Sequence, residues 1–237
     1  MSLLALRAKL DRLSEQIVAR FRDRAWFALN PAIYVPGAIP IAGRPELSLL
    51  EWSLEGLERY HASLGRYEVP DQHPLLLEVL QPSPVQRAIS LPRLPKVPPL
   101  PREVLIRFYL DLLPRLCKPG DDPHDYGEVA YTDADLLARL NERIYLGAFV
   151  AYYKLEREPH ILSLVGQPEV LRAHLRDPDR EANVLAQVAD AAQRFGCPTA
   201  LMIEAFEWIM ARALDLQVCF LQHFAALRAE AQSAAQG

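Results

Sequence analysis

Seven polar side chains interrupt otherwise apolar helical segments, and their types could together hold a small anion. Arg143 and Lys154 bracket the uncharged run IYLGAFVAYY. On an α-helix eleven steps of about 100° make roughly three turns, so both cations leave one face about 16 Å apart. They read either as two solvated ends or as a pair bent toward a shared anion. Asp177, Arg180 and Glu181 cluster in RDPDREANVL, where acids suit a helix N-cap and dipole or one wall of a site. Gln217 stands among Leu216, Val218, Cys219 and Phe220; a buried amide needs a partner on another helix or a cavity to face. Arg7, between Leu6 and Leu10, reads as a solvated residue or as a further cation of the same set. A pocket combining these seven suits a small polyanion carrying hydroxyl and ether oxygens.

The elements that must position them are helical. Leu3, Leu6, Leu10, Leu13, Ile17 and Phe21 recur at three- and four-residue spacing, which predicts a first helix ended by Asn30-Pro31. IYVPGAIPIAGRP reads as a loop, LSLLEWSLEGLERYHASLGRYE as a second helix, and HPLLLEVL as a short one. QPSPVQRAISLPRLPKVPPLP is too proline-dense for a helix or central strand and reads as an ordered crossover arm. Helices resume at Arg102–Leu116 and from about Tyr131 to Leu155. Shorter ones open at Pro159 and Pro168, another spans DREANVLAQVADAAQRF, and a long last one begins at Thr199. The expectation is one all-α domain over residues 1–230, with 231–237 frayed.

Other chemistries find little support. Net charge is −4 and the pI about 5.9, against the basic footprint of a nucleic-acid binder. Cys117, Cys197 and Cys219 have no paired or metal-type spacing, which suits a reducing, cytoplasmic setting. No run approaches the roughly 18 apolar residues of a membrane span. Glu58-Arg59-Tyr60-His61 fits the Glu-x-x-His of di-iron bundles, but those need a second copy, and none is present. Nucleophile-elbow and Walker-type loops are absent as well. No metal and no cofactor are expected.

LLALRAKLDRLSEQI, RDPDREANVL and LDLQ resemble the short bacterial members of the all-helical chorismate mutase family. LLEWSLEGLERYHASLGRYEVPDQHP, DDPHDYGEVAYTDADLLARLNERIYLGAFVAYYK and the Pro-rich arm resemble the longer fungal and plant members. The resemblance runs from Leu3 to about Leu227. It implies the [3,3] rearrangement of chorismate to prephenate, on the branch toward Phe and Tyr, without nucleophile or cofactor. It further implies that Arg7 and Arg143 bind the two substrate carboxylates and that Lys154 and Gln217 donate to the ether oxygen. Glu181 accepts the ring hydroxyl with Asp177 assisting, and Arg180 supports the wall or a carboxylate. A non-catalytic dimeric binding relative is the alternative, and it should have lost at least one of these cations.

The resemblance carries departures. Gln217 stands where some long members have Glu, which donates only when protonated; an amide donates at any pH. Ala213, one turn earlier, replaces a small hydroxyl. The long forms are homodimers, often switched by aromatic amino acids at the interface. The segments resembling that effector site contain Gly65, Arg66, His124, Gly127 and Glu128. Gly65 replaces a second Arg of the fungal pattern and Glu128 replaces Ser. A lost cation and a gained carboxylate disfavour an effector carboxylate, so weak or absent regulation by Tyr and Trp is expected.

Overall fold

A computed structural model describes residues 2–85 and 100–234. Seven α-helices are present among them: α1 (Leu3–Ala25), α2 (Leu49–Ser63), α3 (Arg102–Leu116), α4 (Tyr126–Arg157), α5 (Pro168–Leu175), α6 (Pro178–Phe195) and α7 (Thr199–Ala234). The β content of the described residues is one isolated bridge, Ala28 to Lys118. The architecture is all-α, as expected. The crossover arm lies mainly outside the described residues, which omit 86–99, and α7 is helical as far as Ala234.

Helix α4 is the axis of the bundle, packed against α7, α1 and α2, while α6 bridges α1 and α7. Its burial fits this place: most positions from Val129 to Leu155 are enclosed, as a helix surrounded by others requires. The apolar stripe of α1 (Leu6, Leu10, Leu13, Ile17 and Phe21) joins Leu137, Leu140, Ile144 and Phe206 in the main core. A second cluster around Ala151, Leu171, Leu175 and Phe220 fixes α5 to the far ends of α4 and α7.

Two sequence expectations fail for tertiary reasons. Helix α1 stops at Ala25 rather than at Asn30. Arg24 turns back to donate to the carbonyls of Ala28 and Leu29 at 2.9 and 2.8 Å, and residues 29–30 pair with the 118–120 loop. HPLLLEVL forms only one 3-10 turn at Leu77–Val79. The Leu75 amide donates to Glu58 Oε1 at 3.2 Å, and Asn141 Nδ2 donates to the His73 carbonyl at 2.7 Å. Those groups are committed across the bundle and unavailable to a local helix.

Glu58, from the Glu-x-x-His motif, is fully buried, and burial pushes its carboxyl up to about 7. His61 Nδ1 lies 3.3 Å from the Tyr67 hydroxyl. Both motif residues therefore have structural partners.

Candidate functional site

Four helices supply one cavity. Arg7 comes from α1, Arg143 and Lys154 from α4, Asp177, Arg180 and Glu181 from the start of α6, and Ala213 and Gln217 from α7. All eight line the same concavity, which encloses about 670 Å³ including its open mouth. Every residue assigned to the substrate from sequence is thus brought together. Of the charged ones, four cations (Arg7, Arg143, Lys154, Arg180) face two carboxylates (Asp177, Glu181), leaving a formal surplus of two positive charges. That is the complement of a dianion.

Local sequence explains the placement. The Arg143 and Lys154 spacing puts both side chains on the pocket face of α4. Asp177 caps α6, accepting from the Arg180 backbone N–H at 3.1 Å, and Pro178 follows at the first helical position. The capping role and the site role coincide, because the other Asp177 oxygen accepts from Arg7 Nη2 at 2.8 Å. Gly196, at φ 71° in the left-handed region, ends α6 before Pro198.

Each cation has a distinct partner. Lys154 Nζ donates to the carbonyl of Leu175. Burial holds its ammonium below the ordinary lysine range, with Arg7 adding to the effect and Asp177 opposing it. Arg180 pairs with Asp11 of α1. Arg143 is enclosed and meets only a neutral acceptor, Ser14 Oγ, at 3.2 Å from its Nε. Burial and then the nearby Arg180 push its pKa down to about 10, Asp11 opposing; it remains charged at neutral pH.

Gln217 is buried, and its side-chain oxygen has no hydrogen-bond partner. An amide can present oxygen or nitrogen by a half-turn about its last bond. Among the two readings of Gln217, the cavity-facing one holds. Glu181 is gripped by Arg176, whose Nη2 and Nε lie 2.5 and 3.2 Å from its two oxygens.

Sequence reading missed Arg176, Asp11, Ser14 and Gly147. Asp11 and Ser14 follow Arg7 by four and seven residues, a polar stripe on one face of α1 that could have signalled them. Gly147 matters through its missing side chain. A Cβ there would lie 2.5 Å from the Ala213 carbonyl oxygen, so α4 and α7 touch backbone to backbone at the pocket. The effector-type residues, in contrast, do not meet within one chain. Arg66 donates to Glu142 Oε2 at 2.7 Å, about 22 Å along α4 from Gly127 at 1.5 Å per residue. His124 lies in the 3-10 turn before α4, Glu128 is exposed in its first turn, and Gly65 sits at φ 69°.

Fold and site together define a helical bundle with a net-cationic pocket whose lining includes Lys154 and Gln217. Residues 126–218 match the family model for chorismate mutase type II. The chain is 27% identical over 208 residues to the chorismate mutase of Emericella nidulans, covering 83% of this chain and 77% of that one. It is 28% identical over 211 residues to the Saccharomyces cerevisiae enzyme, covering 83% and 80%. Against chloroplastic chorismate mutase 1 of Arabidopsis thaliana it is 32% identical, covering 67% of this chain and 47% of that one. It spans about half the length of that plant relative. The crystal structure of the Zea mays chloroplast chorismate mutase superposes with a TM-score of 0.82 at 29% identity, covering 94% of each chain. The chain belongs to the all-helical chorismate mutase family, alongside fungal and plant members.

Proposed function

We propose that this protein converts chorismate to prephenate. The observation that carries the proposal is the convergence of Arg7, Arg143, Lys154, Arg180, Asp177, Glu181, Ala213 and Gln217 from four helices on one pocket. The reaction is a unimolecular rearrangement, so the pocket has two tasks. It holds a flexible dianion compact, with Arg143 on one carboxylate and Arg7 on the other, which removes conformational entropy before the bonds reorganise. It also stabilises charge developing on the breaking ether oxygen, through the Lys154 ammonium and the Gln217 amide. Glu181, aimed by Arg176, accepts the ring hydroxyl, and Asp177 supports that side. On binding, Arg7 exchanges Asp177 for a substrate carboxylate and Lys154 exchanges the Leu175 carbonyl for the ether oxygen. The inactive-relative reading is disfavoured because all four cations are retained.

We further propose a cytoplasmic homodimer with weak or absent aromatic effector control. A structure described as AtCM1 holds tyrosine in an allosteric site, and it superposes on this chain with a TM-score of 0.79 at 28% identity. Here the equivalent-looking segments are separated along α4, so a second copy would be needed to join them. No helix of the described residues is long and apolar enough to cross a membrane. The test follows loss of chorismate absorbance with purified protein, with and without millimolar Tyr, Phe or Trp, alongside light scattering. Conversion unchanged by effectors, from a species of twice the chain mass, is expected. No conversion refutes the activity, and a several-fold effector response refutes the regulatory reading.

A further inference from the structure

Another cluster of side chains lies at the rim of the pocket, outside the machinery described above. Glu158 follows the last residue of α4, His160 lies in the 3-10 turn Pro159–Leu164, and His174 lies in the last turn of α5. His174 Nε2 is 3.1 Å from Glu158 Oε2. The His160 and His174 rings meet edge to face with centroids 5.5 Å apart. One ligating atom from each residue falls within 4.8 Å of those of the other two, and all three residues are exposed. We propose that Glu158, His160 and His174 form a binding site for a divalent transition-metal ion of the zinc class.

The donor set selects the ion. Two imidazoles and one carboxylate, with a fourth position open to water, suit tetrahedral Zn2+. Magnesium and calcium prefer oxygen ligands throughout. Metal–ligand bonds of about 2.0–2.2 Å in a tetrahedron place donor atoms about 3.3 Å apart. The separations present are therefore within reach of side-chain rotation, without movement of helices. The ligands also sit on anchored backbone. The Glu158 amide donates to the Lys154 carbonyl at 2.9 Å, and the Ile161 amide to the Glu158 carbonyl at 3.0 Å. Leu171 and Leu175 bury the apolar side of α5. In sequence His160 and His174 are far apart with no recognisable ligand spacing, so the expectation of no metal had nothing to set against it.

The site adjoins the pocket. Glu158 and His174 line the same cleft as Arg7, Lys154 and Asp177. Lys154 lies one turn before Glu158 and donates to the carbonyl of Leu175, the residue after His174. A bound ion would tie the end of α4 that carries Lys154 to the α5–α6 junction that carries Asp177. That consequence for the pocket rests on the functional reading above; binding of the ion does not.

The experiment uses full-length protein freed of any affinity tag, treated with EDTA and dialysed. Zinc chloride, with magnesium chloride in parallel, is then titrated calorimetrically, and retained metal is counted after equilibrium dialysis. The expected result is one zinc per chain, no comparable magnesium binding, and a melting temperature raised by several degrees, as ligand linkage to the native state requires. The double variant H160Q/H174Q should keep its helical circular dichroism and bind zinc at least tenfold more weakly. No zinc retained by the wild type, or equal retention by the double variant, overturns the proposal. Because these readouts need no chorismate, they remain decisive even if the activity assay fails.

Discussion

Two arginines are enclosed in this bundle with opposite consequences. Burial alone lowers the pKa of Arg24, but Asp133, 2.7 Å from its Nε, helps carry it above the ordinary value. Arg143 has no such countercharge, and burial pushes it down to about 10 from an ordinary value above 12. Each pH unit of displacement corresponds to about 1.4 kcal/mol, so the unliganded protein carries on the order of 3 kcal/mol of strain at this one charge. The sign follows from a base whose folded pKa is depressed. The penalty is fully present below about pH 10, including neutral pH, and fades only as the pH rises toward the unfolded-state value.

Arg143→Met keeps the side-chain length, removes the charge, and leaves Ser14 its bond to the Leu10 carbonyl at 2.8 Å. We expect it to stabilise the empty protein by about 1–3 kcal/mol, discounted for lost packing, or roughly 2–8 °C in melting temperature. The same change should lower kcat/KM by at least about a thousandfold, a few kcal/mol for a buried charged contact. Urea unfolding at pH 7 without ligand, set beside chorismate consumption, reads both quantities. A variant less stable than the parent would refute the reasoning that Arg143 is electrostatically uncompensated. A variant with near-parental kcat/KM would refute its role on the substrate.

Other outcomes follow from single contacts. Gln217→Glu should make kcat fall about tenfold per pH unit above the pKa of the new carboxyl, a loss absent from the parent because an amide donates at any pH, measured as paired kcat–pH profiles. Gly147→Ala should cost about 1–3 kcal/mol in urea unfolding, because its Cβ would meet the Ala213 carbonyl at 2.5 Å. It should also cut kcat/KM by about a hundredfold, by parting the helices that carry Lys154 and Gln217. Asp133→Asn should destabilise by about 3–5 kcal/mol, since Arg24 would be left without its countercharge. Its kcat per folded molecule should stay close to parental, because neither residue lines the pocket.

Most of this site was legible because its residues obey helical arithmetic. The interval from Arg143 to Lys154 needed only the pitch of a helix, and the Asp177-Pro178 start of α6 carries its own capping chemistry. The illegible parts are contacts whose partners lie far away in sequence. Nothing in HPLLLEVL reveals that Glu58 will take the Leu75 amide, so local periodicity predicts a helix where tertiary bonds prevent one. Arg176 looks like an ordinary surface cation until α5 and α6 meet and turn it onto Glu181. Gly147 reads as a weak point in a helix, whereas the close approach of α7 makes it a requirement.

The distribution of partners ranks the cations. Arg7 already holds Asp177 in a pair with about a third of each side chain exposed, and such pairs contribute only about 0–1 kcal/mol. Exchanging Asp177 for a substrate carboxylate therefore replaces one modest interaction with a similar one. In the proposed mechanism Lys154 exchanges the Leu175 carbonyl for an ether oxygen, a gain realised only as charge develops there. Arg180 stays balanced by Asp11 throughout. In that mechanism Arg143 alone among these four goes from a neutral side-chain hydroxyl to a full countercharge while buried. The pocket's surplus positive charge thus rests on the two cations without a carboxylate partner, Arg143 and Lys154, and Arg143 is the more buried of the two. Affinity for the proposed dianion should depend on Arg143 far more than on Arg7, although the proposed mechanism sets each of them on a carboxylate.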